Sequence, residues 1–347
     1  MQYIGSKKSL IGFIDSTIKK RTTIKNKIVC DLFSGTGIVS LYFKENDAKK
    51  VISNDIQYYS YCMTKALLVN KDFLKFDKIL NTNKNSIKEI SLIINSLKPK
   101  SGFITNNYSP ESFSTCGIER KYFTVENAKK IDSSMEYIHS LKGSISEDEY
   151  CYLVASLIES VDKVSNIASV YGAFLKSFKK NATNEFLFRP IPISTNKSNF
   201  THEAYNIDSN DLIKKINCDI LYLDPPYNRR QYCSNYHILE TIATNIQGIP
   251  KGITGIITDD DKKSKYCRKS TIEDVFVELI NNANTNHIFI SYNDEGFLSK
   301  EQIIQVLNRN FKDCGIEEKV YKRFKADSRK YKNDTVKEFI FWGETKK

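Results

Sequence analysis

The stretch from Lys27 to Asp55 constrains the fold most. "KIVCDLF" (27–33) is a β-branched, apolar run of the kind found in a strand buried on both faces. "SGTG" turns the chain, "IVSLYFKEN" follows with helical periodicity, and "KKVISND" (49–55) reads as a second strand before the helical "QYYSYCMTKALLVN". Strand, helix and strand at this period form a βαβ unit, which implies a parallel sheet. "CDILYLD" (218–224) and "NHIFISY" (286–292) are strands of the same character, each followed by helical periodicity. "IEEKVYKRF" and "TVKEFIFWG" read as an antiparallel hairpin. The expected class is α/β with a doubly wound sheet.

Between the second helix and the third strand the texture changes. Residues 100–124 are polar, aromatic and rich in Gly, Ser and Asn, which predicts long loops. "EYCYLVASLIESVDK" (149–163) places apolar residues at 150, 153, 154, 157, 158 and 161, the stripe of an amphipathic helix with one core-facing side. The expected organisation is therefore a catalytic portion formed by 1–75 and 205–347, with 76–204 inserted as a helical and loop region.

Composition narrows the function classes. A net charge of +11 over 347 residues predicts attraction to a polyanion, nucleic acid before acidic membrane. A solvated, lysine-rich surface explains the same number, so charge alone decides nothing. The eight cysteines form no CxxC pair and the four histidines are isolated, so no metal site is expected. No signal-like segment and no bilayer-spanning run is visible, and free thiols fit a reducing compartment; the expected location is cytoplasmic, with no membrane association.

The glycine turn after the first strand carries chemistry. Gly35 and Gly37 permit positive φ and close approach of a ligand to the backbone. Asp55 ends the next strand, 20 residues after Gly35, where an acid can accept the two hydroxyls of a ribose. Ser40 stands where a dinucleotide fingerprint has its third glycine, which argues against NAD and for a nucleoside without a diphosphate, S-adenosyl-L-methionine being the common one. A purely structural glycine turn is the competing reading.

"DILYLDPPYNRRQY" (219–232) runs a buried strand directly into a carboxylate, two prolines and a tyrosine. The C-terminal end of a parallel strand is where open α/β sheets bind ligands. Pro225 and Pro226 fix φ and have no N–H, so the backbone there can only accept. Asp224 and a neighbouring carbonyl together suit an exocyclic amine with two N–H bonds, and Tyr227 can stack on the base that carries it. A rigid turn capped by Asp224 is the bland alternative.

These segments, with "YIGSK" at Tyr3–Lys7, resemble the DNA adenine-N6 methyltransferases, specifically the alpha-group, Dam-like branch with a DPPY motif. The order matches: Tyr3–Lys7, the Asp31–Gly37 loop, Asp55, an insertion, then Asp224–Tyr227. "YGAFLKSF" (171–178), "RRQYCSNYH" and "ISYNDEG" (290–296) also look like parts of one subfamily, so the resemblance covers nearly the whole chain. It implies a Rossmann-like methyltransferase sheet with an inserted target-recognition region, methyl transfer from S-adenosyl-L-methionine to adenine N6 in duplex DNA, and a place in restriction-modification, with a cognate restriction endonuclease as functional partner, or as an orphan modification enzyme. Tyr3 and Lys7 would then lie at the methionine end of the cofactor. Phe33, Gly35 and Gly37 would shape the loop beneath it, with Asp31 at its head; Asp55 would hold the ribose and Asp208 the adenine amine. Asp224, Pro225, Pro226 and Tyr227 would be catalytic, Asp224 also bordering the cofactor. Arg229 and Arg230 abut that turn and suit phosphates flanking a flipped base. Lys322, Arg323 and Lys325, interleaved with aromatics, suit a nucleic-acid backbone. Methylation of RNA or of a protein amide, where Asn more often stands in place of Asp224, and a binding protein on a degenerate fold are the rivals.

Overall fold

Alternation is absent from "CDILYL" because β4 (Cys218–Leu223) lies in the middle of the sheet, where every side chain but the half-buried Asp219 is enclosed. The computed structural model describes residues 3–69, 72, 74–80, 86–194, 201–322 and 335–345. They divide into two compact units: one comprises Met1–Ile4, Lys65–Thr195 and Tyr232–Asp260, the other Gly5–Thr64, Asn196–Gln231 and Asp261–Lys347. The division differs from the expected boundaries, for Tyr232–Asp260 clusters with the inserted region and not with the sheet.

The sheet unit joins β1 (Ile28–Asp31), β2 (Lys50–Asn54), β3 (Glu203–Tyr205), β4, β5 (Thr285–Asn293), β6 (Asp313–Lys322) and β7 (Thr335–Glu344) in the order β3-β2-β1-β4-β5-β7-β6. β1 to β5 run parallel, and β7 inserts antiparallel between β5 and β6. The mixed α/β class, the parallel core and the terminal hairpin all agree with the sequence. β3 does not appear in the sequence pattern, being three half-buried residues at the sheet edge that pair with Ile52–Asn54. Helices Ile272–Asn281 and Lys300–Asn310 supply Phe276, Leu279, Ile303 and Leu307 to one face, against Leu221, Leu223, Ile288 and Ile290. The crossover from β1 runs to β2 on one side while β4 lies on the other, so the chain parts between β1 and β4. In open α/β sheets that switch point, at the carboxyl ends of the strands, is where a ligand crevice forms.

In the other unit, helix Glu147–Lys163 is opened by a capping box between Ser146 and Glu149. Its burial extends well beyond the expected stripe. Tyr152 donates to the Ile191 carbonyl (2.8 Å), while Ser156 and Ser160 accept the Ile191 and Arg189 amides (3.2 and 2.8 Å). The polar side is thus zipped to the backbone of residues 189–191. Residues 100–124 are also more regular than expected: helix Phe103–Tyr108 forms there because Asp132, from helix Val125–Ser140, accepts the amides of Gly102, Ile104 and Thr105 at 2.8–2.9 Å. A cap supplied 27 residues later leaves no local trace in sequence.

Candidate active site

Gly35 and Gly37 both adopt positive φ (51° and 74°), and the Gly37 amide closes the turn on the Ser34 carbonyl at 2.7 Å. Helix Ile38–Glu45 starts directly from Gly37. The loop is held to β2 by Asp55, whose carboxylate accepts the Gly35 amide (2.9 Å) on one oxygen and the Gln57 amide (2.8 Å) on the other. Asn54, which the sequence did not single out, ties three segments together. Its amide donates to the Leu32 and Ile207 carbonyls (3.3 and 3.1 Å) and its oxygen accepts the Ile207 amide (3.2 Å).

Ser40 has a specific function here. Its hydroxyl donates to Asp31 Oδ2 at 2.6 Å and accepts from Ser53 at 2.7 Å, so the residue replacing a third glycine fixes the carboxylate at the end of β1. Asp31 is buried, and its other oxygen accepts no hydrogen bond from the described residues. Burial pushes its pKa up to about 7; the Ser40 bond opposes this, and the nearby charges of Asp224 and Asp55 add to it.

Asp208 caps the single-turn helix Ser209–Leu212, its Oδ1 accepting the Asn210 amide at 2.8 Å. Phe33 meets Tyr266 edge-on at 5.2 Å, and the Tyr266 hydroxyl donates to Asn210 Oδ1 at 2.7 Å. Tyr266 belongs to a strap invisible in the sequence. Lys262 donates to the Ile56 carbonyl (2.8 Å) and its own carbonyl accepts from Gln57 (3.0 Å). Ser264 pairs with Gln231 in both directions (2.9 and 3.2 Å). The strap therefore links the end of β2 to the loop after β4, and Lys262, part of a basic run by sequence, spends its ammonium on backbone.

Asp224 leaves β4 beside Lys7, whose ammonium lies 3.2 Å from Asp224 Oδ1 and 2.6 Å from Glu338 Oε1. Burial lowers the Lys7 pKa, but the two carboxylates outweigh it and hold the ammonium well above its ordinary range. Burial raises Asp224 to about 6; Lys7 pulls it down and Glu338 pushes it up. Pro225 is buried; Pro226 and Tyr227 are half-buried. The Tyr227 ring meets Tyr292 at 5.4 Å, nearly edge-on, and its carbonyl accepts the Phe297 amide at 2.9 Å. A side chain at Gly296 would stand 2.0 Å from the Tyr292 ring, so that loop needs glycine there.

In the sheet unit Asp31, Phe33, Gly35, Gly37, Asp55, Asp208 and Asp224–Tyr227 thus lie at the carboxyl ends of β1, β2, β3 and β4 or in the loops that follow, with Lys7 beside Asp224. Arg229 and Arg230 are exposed on the continuation of the turn. Tyr3 belongs to the other unit, stacked with Tyr232 (5.5 Å) and Tyr236 (4.7 Å). Arg323, Lys325 and the side chain of Lys322 lie outside the described residues. Among the described residues no cluster of His, Cys, Asp or Glu could hold a metal ion, and no helix is long and apolar enough to cross a membrane.

The family model for "D12 class N6 adenine-specific DNA methyltransferase" matches residues 3–306. The chain is 41% identical over 338 residues to Type II methyltransferase M.NlaIII of Neisseria lactamica, covering 96% of this chain and 95% of that protein. It is 39% identical over 353 residues to Type II methyltransferase M.FokI of Planomicrobium okeanokoites, where 99% of this chain covers 52% of the longer protein. It is 37% identical over 340 residues to Type II methyltransferase M.CviAII of Paramecium bursaria Chlorella virus 1, covering 98% and 97%. A parallel sheet ending in Asp31, Asp55 and Asp224, matched over nearly its full length, makes this chain a member of the D12 class of N6 adenine-specific DNA methyltransferases.

Proposed function

We propose that this enzyme is an alpha-group, Dam-like methyltransferase that modifies adenine N6 in duplex DNA at one short sequence, with Asp224–Tyr227 as its DPPY catalytic turn. The observation that carries the reading is the carboxylate of Asp224 at the mouth of β4, followed by two backbone positions that can only accept. Names of type II methyltransferases among the relatives support a restriction-modification setting, with a cognate endonuclease as functional partner.

Family membership implies S-adenosylmethionine as methyl donor, and the residues fit it. The donor carries an ammonium and a sulfonium, while Asp31, Asp55 and Asp224 lie near one another and Lys7 is, among the described residues, the cation paired with Asp224. The unpartnered buried oxygen of Asp31 fits the ammonium, Asp55 the ribose hydroxyls, and Phe33 with Tyr266 the edge of the adenine; Asp208 keeps one oxygen for its amine. The cofactor supplies an electrophilic methyl. The chain accepts both N6 hydrogens, on Asp224 and on the Pro225 carbonyl, which draws the nitrogen toward tetrahedral geometry and turns its lone pair outward. Tyr227 stacks on the extruded base.

Duplex oligonucleotides carrying all short sites, incubated with labelled S-adenosylmethionine, should yield N6-methyladenine on nucleoside mass spectrometry. A methyl group on cytosine, or a preference for RNA, overturns the substrate assignment.

A pH dependence follows from Asp31. Its pKa near 7 in the free protein means that it is partly protonated at neutrality, and a bound ammonium favours the ionised form. Cofactor affinity should therefore fall as pH drops from 8 to 6, by up to about tenfold per pH unit. Titration calorimetry on Asp31→Asn should show weaker binding without this slope; a slope retained by the variant removes Asp31 from the cofactor site.

A further inference from the structure

We infer that Glu338 on β7 is a positioning residue for methyl transfer, competing with Asp224 for Lys7 and so keeping the Asp224 carboxylate a stronger acceptor than a simple ion pair would. The inference rests on the assignment of Asp224 as the N6 acceptor. Side chains alternate across β7: Phe339 and Phe341 enter the apolar core, while Glu338 lies on the other face, 1% exposed, with Lys7 at 4%. Lys7 lies closer to Glu338 (2.6 Å) than to Asp224 (3.2 Å). Ser291 of β5 donates to the same Glu338 oxygen at 2.8 Å, and the other oxygen accepts nothing from the described residues.

Two carboxylates on one buried ammonium is not the arrangement that anchoring alone would select. Asp224 already partners Lys7, and a second buried anion carries a desolvation cost that a neutral residue on β7 would avoid. What the second anion changes is the division of Lys7. A carboxylate fully paired to an ammonium is a weak acceptor for an aromatic amine. With Lys7 drawn toward Glu338, Asp224 retains acceptor strength while Lys7 still keeps it oriented. The groups facing this cluster are Tyr222 on β4, Asp31 on β1 and Tyr227 in the turn, so Lys7 is the cation among them.

Glu338 raises the pKa of Asp224, and the ionised form is the active one. Glu338→Gln removes that charge and hands Lys7 to Asp224, so the acid limb of the single-turnover rate should move about one unit lower while the plateau falls roughly tenfold, the equivalent of one pKa unit. Glu338→Asp should restore much of the plateau. Ser291→Ala leaves Lys7 more available to Glu338, so its acid limb should stay in place or move upward. General loosening of the site would move both limbs alike and overturn the inference, as would an unmoved limb in Glu338→Gln. Asp224→Ala, run in parallel, separates the two levels: if that variant stays active, the acceptor assignment fails, whereas an inactive Asp224→Ala beside an unshifted Glu338→Gln fails this inference alone.

Discussion

Asp224→Ala should abolish detectable methyl transfer while DNA binding persists within a few-fold. The adenine N6 lone pair is delocalised into the ring, and the amine becomes nucleophilic only when its hydrogens are drawn out of plane by fixed acceptors. Those acceptors are set before substrate arrives: β4 delivers the carboxylate, the prolines lock the turn, and Lys7 orients the acid. Losing one preorganised group typically costs about 100- to 1000-fold in rate. No strong base is needed, since the nitrogen sheds a proton readily once it carries the methyl. The fold should survive, because Lys7 keeps its 2.6 Å contact with Glu338. Asp224→Asn, which keeps one acceptor oxygen but loses the charge and puts a donor in place of the other, should be slowed less than Asp224→Ala. Near-normal single-turnover methylation by Asp224→Ala would sink the mechanism. Tyr227→Ala should be milder: the ring also packs on Tyr292, so part of its loss appears as weaker binding of the flipped base and not as a slower step.

The parts of this site that were legible in the sequence are those made by adjacent residues. A strand, a glycine turn and a helix leave a periodicity that can be counted, and so does a strand running into Asp-Pro-Pro-Tyr. Contacts made across the sheet leave no such trace. Glu338 lies 331 residues from Lys7, and in its own strand it is one charged position among aromatics. Ser40 was visible only as a missing glycine; its bond to Asp31 depends on how a helix turns over β1. The strap through Lys262 and Tyr266 has no signature in sequence, where it is only a stretch of basic residues; in the structure the Lys262 ammonium donates to the Ile56 carbonyl. Helix Phe103–Tyr108 was read as loop because its cap comes from Asp132. The spacing of Asp55 suggests a ligand residue, whereas what the structure shows is a backbone bond from Gly35 that holds the glycine loop to β2.

Exchanging Lys65–Thr195 together with Tyr232–Asp260 for the same segments of a family member that methylates a different sequence should transfer the new specificity and leave cofactor affinity unchanged. The reading that this unit selects the sequence rests on its being a compact unit of its own that contains none of Asp31, Asp55 and Asp224. The two segments must move as one, because the loop after helix His237–Thr244 is held by side chains from the first segment. Buried Arg120 donates to the carbonyls of Gly252 (3.0 Å) and Ile253 (3.2 Å), Tyr122 to Thr254 (2.9 Å), and Tyr108 to Gly255 (2.9 Å). Neutral bonds of this kind contribute about 1 kcal/mol each and charged ones about 1.5–3. Gly255 also admits no side chain, since a Cβ there would stand 2.9 Å from Arg120. That loop presents Ile246, Ile249 and Ile253 to solvent, each about 70% exposed or more. Apolar side chains fixed on a rigid loop are the kind that wedge into a distorted base step, so the loop itself should carry part of the specificity. A chimera of Lys65–Thr195 alone should therefore melt lower and methylate a mixed or relaxed set of sites. Sequencing of modified bases in DNA from cells expressing each chimera, with thermal melts of the purified proteins, separates the outcomes. If the two-segment chimera folds, binds cofactor normally and still methylates the original sequence, the readout belongs to the sheet unit, with Arg229 and Arg230 as the first residues to exchange.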